Sequence, residues 1–262
     1  MRSVEAILEE LNALDRSHKA PYYRPRDAAT LLILDRAAGG PMRVLMGRRH
    51  MRHKFMPGAW VFPGGRVDPA DSRTAAADDY HPLELAKLMV EMKGPKTAAR
   101  ARALAIAAIR ETYEEAGFFV ATSAGGTASR PAPGAEVDPH DAFATFAARG
   151  LAPAIGRIRF VARAITPPGR PRRFDTRFLA IPADAVAGQL ESGVGPSGEL
   201  EDVAWVSFDE ARARPELPPI TRAVLDELES RLAGDPKLAA EGPVPFYRWR
   251  NDAFLRTLIE PA

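Results

Sequence analysis

Three glutamates and an arginine form the densest set of chemically capable side chains in this sequence. They sit in the stretch Arg110-Glu111-Thr112-Tyr113-Glu114-Glu115-Ala116-Gly117-Phe118, at the end of an Ala-rich run that starts at Ala98. Nothing between Ala98 and Ile109 breaks a helix, and alanine is the best helix former. Residues three and four apart share a helix face, so Glu111, Glu114 and Glu115 project together with Arg110 beside them. Like charges at that spacing repel. A divalent cation removes the repulsion, and carboxylate oxygens are what Mg²⁺ and Mn²⁺ prefer. Gly117 is the residue type expected just past a helix C-terminus.

An acidic helix face standing alone is usually a solvated one. A second stretch, Phe62-Pro63-Gly64-Gly65-Arg66-Val67-Asp68, gives this face a use. A Trp60-Val61-Phe62 strand runs into a Pro-Gly-Gly turn, whose glycines let backbone come close to a ligand. The two stretches together resemble the Nudix box of the Nudix hydrolases. That pattern is Gly, five residues, Glu, seven residues, Arg-Glu, an apolar residue, any residue, Glu-Glu, any residue, Gly, apolar. Gly65, Arg110-Glu111, Glu114-Glu115 and Gly117-Phe118 fit it. The chain departs in three places. Asp71 stands for the first Glu, Thr112 for the apolar residue, and Ser72 through Ile109 is a spacer roughly thirty residues too long. Doubling a loop costs only about 0.6 kcal/mol, so the insertion can leave both halves in place. The long spacer resembles a family branch with an expanded box, which includes enzymes acting on coenzyme A.

The resemblance implies an α/β Nudix fold over 1–262: a mixed sheet sandwiched between helices. It carries a helical insertion inside the box (72–97), a catalytic helix (98–118), and helical extensions at the N-terminus (1–20) and C-terminus (207–262). It further implies hydrolysis of the pyrophosphate bond of a nucleoside diphosphate linked to another group, with Mg²⁺ or Mn²⁺ as cofactor. Matched to the box, Glu114 and Glu115 are metal ligands and Glu111 is a ligand or the base. Arg110 holds a glutamate carboxylate, and the Gly65 backbone is a further oxygen donor. Nudix enzymes commonly add an acidic residue a few positions before a Trp-containing strand. Glu199 and Glu201 precede Trp205, and Glu201 is the expected choice. Whether Asp71 reaches the metal site stays open, as does which glutamate is the base.

For the substrate, clustered cations ahead of the turn suit a molecule carrying several phosphates. Arg48, Arg49, Arg52, His53 and Lys54 precede Gly58 and Phe62-Pro63-Gly64-Gly65, a run similar to a signature of coenzyme A diphosphatases. Arg172-Arg173-Phe174-Asp175-Thr176-Arg177-Phe178 resembles another stretch of that branch. The expected substrate contacts are Arg48, Arg49, Lys54, Gly64, Arg172 and Arg173. Coenzyme A or an acyl derivative leads; ADP-ribose, NADH and dinucleoside polyphosphates are the alternatives. A non-catalytic nucleotide sensor is the reading from another class. Such proteins usually lose box glutamates, and all three are present here.

The rest of the chain must position these groups. Ala28–Asp35 and Arg43–Arg48 read as a hairpin, Arg159–Ile165 and Phe174–Ile181 as strands. Residues 3–15, Pro82–Met92, Pro139–Arg149 and Thr221–Leu232 carry apolar residues at helical spacing. Ser207 with Glu210 has the form of a capping box. There is no cysteine, which excludes disulfides, thiol nucleophiles and thiolate metal sites. A formal net charge of +2 is too small to argue for nucleic acid, and no apolar run is long enough to span a membrane. A small nucleotide-type molecule is therefore the expected partner and the cytoplasm the expected location. Many Nudix proteins dimerise, so a homodimer stays open.

Overall fold

The computed structural model describes residues 2–14, 20–36, 39–52, 56–124 and 137–260. In chain order, α1 (Val4–Asn12) leads into β1 (Arg26–Arg36), β2 (Met42–Arg49), β3 (Trp60–Val61) and β4 (Gly64–Arg66). Then come α2 (Pro82–Met89), α3 (Ala98–Ala116), β5 (Phe118–Ser123), α4 (Ala142–Ala148) and β6 (Leu151–Pro153). β7 (Arg159–Ile165), β8 (Phe174–Pro182), β9 (Val186–Gln189) and β10 (Leu200–Ser207) follow. The chain continues through α5 (Phe208–Arg212), α6 (Pro219–Gly234), β11 (Val244–Arg250) and β12 (Ala253–Ile259).

The main sheet is mixed, in the order β10-β2-β1-β8-β7-β11-β12, with β3 on β2 and β4 on β1. β1 runs parallel to β8 and antiparallel to β2 and β4. A central strand is covered on both faces, so it reads as a nearly unbroken apolar run. Alternate side chains of β1 enter two different cores. Ala29, Leu31 and Ile33 pack with α2, α3 and α4, whereas Leu32 and Leu34 pack with α1, α5 and α6. The sheet is thus sandwiched between helical layers, as expected. β6-β5-β9 make a smaller sheet beside it.

α3 has sharp chemical boundaries. The Thr97 side chain accepts the Arg100 N–H at its start, and Gly117 ends it in the left-handed region at φ 76°. Thr112, the departure from the apolar box position, is fully buried. Its hydroxyl donates to the Ala108 carbonyl one turn back at 2.7 Å, so it can occupy an apolar site.

The insertion is built into the body. α2 spans Pro82–Met89, somewhat shorter than the expected 82–92, and Leu88 joins the α3 core. Glu84 and Lys87, both fully buried, form an ion pair at 3.3 Å. Glu84 accepts the Phe160 N–H of β7, and Lys87 donates to the Ala240 and Gly242 carbonyls. The C-terminal extension is helical over α5 and α6 and then closes as the β11–β12 hairpin, with β11 parallel to β7. The fourth expected helix is trimmed to Ala142–Ala148. β5 runs on to Ser123, and residues 125–136 lie outside the described residues. The capping box at Ser207 and Glu210 has both of its hydrogen bonds. Among the described residues, no helix is long and apolar enough to cross a membrane.

Candidate active site

The glycine turn and the acidic helix meet across the insertion. β4 pairs Gly64 with Thr30 and Gly65 with Ala29, laying the turn on the centre of the sheet beside α3. A Cβ on Gly64 would come within 2.6 Å of the Ala29 carbonyl and of Thr30. A Cβ on Gly65 would overlap the Glu111 carboxylate. Both positions need glycine because sheet backbone and a carboxylate approach that closely. The Gly64 N–H donates to Glu115 Oε2 at 2.9 Å.

Arg110 organises the rest. Its Nη1 donates to Glu111 Oε1 at 2.9 Å and Glu114 Oε2 at 3.0 Å. Its Nε and Nη2 donate to the two Asp71 oxygens at 3.0 and 3.2 Å, and Nη2 also reaches the Arg66 carbonyl. Asp71, 1% exposed, accepts the Asp68 N–H as well. Asp71 therefore does reach across the insertion, and it holds Arg110 from behind. Burial alone would lower the Arg110 pKa, but Asp71, Glu111 and Glu114 together raise it, so the guanidinium is charged.

A cavity of about 360 Å³ opens over this junction, lined among others by Arg49, Gly64, Gly65, Glu111, Glu115 and Glu199. Glu114 is joined to Glu111 through Arg110 and does not contribute to the lining. Burial pushes Glu111 up to about 7, with Glu114 and Glu199 adding repulsion against the pull of Arg110. Burial also raises Glu114, and it raises Glu115 well above the usual carboxylate range, with Glu111 and Glu199 contributing. Glu111, Glu115 and Glu199 thus share one cavity, and the charge of Glu199 adds to the raised proton affinity of the other two.

That charge surplus is what a divalent cation would relieve, and an all-carboxylate donor set suits Mg²⁺ or Mn²⁺. In kind and in location the residues fit such an ion. Among the described residues, no three acidic or histidine groups converge as a finished cage, since Arg110 engages two of the glutamates and Gly64 the third.

Glu199 lines the cavity, whereas Glu201, the expected choice, does not. Glu201 faces Arg48 across the β10–β2 ladder and pairs with it at 3.0 Å, while Asp202 takes the same guanidinium at 2.7 Å. Arg48 is accordingly tied to two carboxylates outside the cavity lining. Arg49 lines the cavity, 3.6 Å from Glu199. The loop carrying Glu199 hangs on the end of α3. The Gly195 N–H donates to the Glu115 carbonyl and the Ser197 N–H to the Glu114 carbonyl. These are carbonyls that a helix C-terminus leaves without intrahelical partners. Gly195 and Ser197 act through backbone groups, and their one signal in the sequence is the Gly-Pro-Ser-Gly run ahead of Glu199.

Arg172 lines the cavity. Arg173 is buried and donates to the Thr166 and Tyr23 carbonyls. Phe174, Thr176 and Phe178 of its run line the cavity, while Asp175 and Arg177 are spent on structure. Asp175 takes both Nε and Nη2 of buried Arg163, and Arg177 reaches Asp27, which also pairs with Arg100 of α3. Lys54 and His53 lie outside the described residues.

No family model matches the chain. Among solved structures it is similar to a NUDIX hydrolase from Alicyclobacillus acidocaldarius, at 30% identity and a TM-score of 0.55, over 79% of this chain and 91% of that one. Fainter likeness reaches RenU, a Nudix hydrolase from M. smegmatis, at 17% identity and a TM-score of 0.41, over 83% and 91% of the two chains. It also reaches the NUDIX domain of Shewanella oneidensis NrtR complexed with ADP ribose, at 13% identity and a TM-score of 0.41, over 88% and 99%. Those two share too little of the architecture to carry an argument.

Proposed function

The chain belongs to the Nudix hydrolases, pyrophosphohydrolase enzymes that generally use divalent metals, and from that premise we propose that it cleaves coenzyme A or an acyl derivative. The bond broken is the pyrophosphate, giving phosphopantetheine and adenosine 3′,5′-bisphosphate. The observation that carries the site assignment is the contact of Glu115 with Gly64 and of Glu111 with Gly65, two carboxylates seated on a glycine turn.

Glu111, Glu114 and Glu115 would hold Mg²⁺ or Mn²⁺, with Glu199 as the further carboxylate and the Gly65 backbone as an oxygen donor. Such an ion supplies charge neutralisation and polarises phosphoryl oxygens. The chain's own residues do the remaining work. Arg110, anchored by Asp71, fixes the carboxylates of Glu111 and Glu114 and limits their rotation. Gly64 fixes Glu115 in the same way. A carboxylate of this set takes the proton of the attacking water, and Glu111, raised towards neutrality by burial, is suited to that exchange. Arg49 and Arg172 present cations to the phosphates from the cavity wall. The coenzyme A reading rests on the expanded box and on the arginines in and beside the cavity.

The experiment is a panel of coenzyme A, ADP-ribose, NADH and diadenosine polyphosphates, each with Mg²⁺ and with Mn²⁺, with products identified by mass. Metal-dependent cleavage of coenzyme A that vanishes in Glu114→Gln is the expected result. Cleavage of ADP-ribose with coenzyme A untouched would overturn the substrate. Inertness toward the whole panel would overturn the pyrophosphate assignment for this set.

A further inference from the structure

Beside the catalytic cavity lies a second hollow of about 860 Å³ whose described lining contains five arginines, Arg24, Arg26, Arg66, Arg172 and Arg173, and no acidic residue. The two spaces share Arg66, Arg172 and Phe174 in their linings, so they adjoin one another. We propose that this hollow binds a phosphate monoester that the substrate carries outside its scissile pyrophosphate. The inference rests on the function proposed above and narrows its substrate class.

The hollow has a built frame. Arg173 pins its floor through the Thr166 and Tyr23 carbonyls, and the Arg26 N–H donates to the Arg173 carbonyl at 3.0 Å. The segment from Ala20 is tied in by the Ala20 N–H on the Gly169 carbonyl. Arg66 gives its Nε to Asp68 at 3.0 Å. Arg24, Arg26 and Arg172 are exposed and have no acidic partner among the described residues. Three unneutralised guanidinium groups gathered in one concavity repel one another and raise the local concentration of anions. A guanidinium matches a phosphate through two parallel hydrogen bonds. The neighbouring cavity supplies carboxylates and so suits a metal-bridged pyrophosphate. The hollow has none and so suits an anion held directly. A molecule spanning both would place its pyrophosphate over Glu111 and Glu115 and a separate phosphate among the arginines. Coenzyme A carries such a group on its ribose, whereas ADP-ribose and NADH do not.

The test is calorimetric titration of the full chain, without metal, with adenosine 3′,5′-bisphosphate and with AMP. The bisphosphate should bind at least about tenfold more tightly, a preference that shrinks as salt is raised. Arg24→Glu/Arg26→Glu should abolish the preference, with single Arg24→Glu as the milder variant and thermal melts reporting folding. Arg24→Lys should keep part of it. Equal affinities in the wild type, or a preference that survives charge reversal, would overturn the proposal. Coenzyme A cleavage without any bisphosphate preference sinks this inference and leaves the proposed function standing. A preference without hydrolysis of any panel member does the reverse.

Discussion

Glu115 and Gly64 are 51 residues apart, and the carboxylate of one accepts the backbone N–H of the other at 2.9 Å. Glutamine in place of Glu115 keeps an acceptor for that N–H and removes the charge. Because burial raises the Glu115 pKa, neutralising it should raise the melting temperature of the metal-free protein. Turnover should fall by about 10²-fold or more. Added Mg²⁺ should stabilise the wild type by mass action and the variant less. Melting curves with EDTA and with Mg²⁺ read both effects, and a variant destabilised in EDTA would contradict the assignment.

The two glycines of the turn should fail differently. Gly64→Ala drives a methyl into the Ala29 carbonyl and Thr30, which are sheet backbone and cannot yield. It should cost about 1–3 kcal/mol in urea unfolding. Gly65→Ala meets first the end of the Glu111 side chain, which can swing away. That variant should remain folded and lose activity, measured as kcat against unfolding midpoint. Equal stability losses in both would show that the Glu111 contact has no special place.

Arg110→Ala leaves Asp71 buried with its main cation gone. Removing one partner of a buried pair costs about 3–5 kcal/mol, and the half-buried glutamate side of this hub places the loss near the lower figure. Arg110→Ala/Asp71→Ala should recover part of that stability while staying inactive. A double-mutant cycle by urea denaturation checks the coupling, and additive losses would deny it.

Glu84, outside the cavity lining, gives a pH signature of its own. Burial raises its pKa despite Lys87, so the folded chain holds this proton more tightly than the unfolded chain. A raised carboxylate contributes no penalty below its unfolded value near 4.5 and loses stability as pH rises through the folded value. Glu84→Gln keeps the acceptor for the Phe160 N–H and removes the titration. The variant should therefore gain on the wild type as pH increases from 4 to 8, in paired urea titrations. A wild type that gains instead would mean that the Lys87 pairing outweighs burial.

The parts of the site legible in the sequence were those set by local chemistry. An alanine run capped by Thr97 and stopped by Gly117 makes α3 wherever it is placed, and a Pro-Gly-Gly turn after a strand announces close approach. The sequence is silent where register decides. A bulge between Glu201 and Ala204, with Asp202 at φ 53°, sets Glu201 opposite Arg48 and leaves Glu199 for the cavity. Neighbours ahead of a strand also turn opposite ways, so Arg172 lines the cavity beside Glu111 while Arg173 is buried. Asp71 was hardest to place, because only the folded path of 72–109 brings it to Arg110. The burial of Glu84 and Lys87 was equally hidden, since both residue types are usually read as surface.

The Asp71–Arg110 bridge closes a loop of 39 residues, and it has consequences for how the molecule comes into being. Contacts this distant in sequence form after chain collapse, since the entropy of ring closure is met before any contact returns it. Most of α3 must therefore leave the ribosome before the glycine corner, already able to pair with β1, can meet its carboxylates, and a synthetic peptide spanning either stretch alone will be inert.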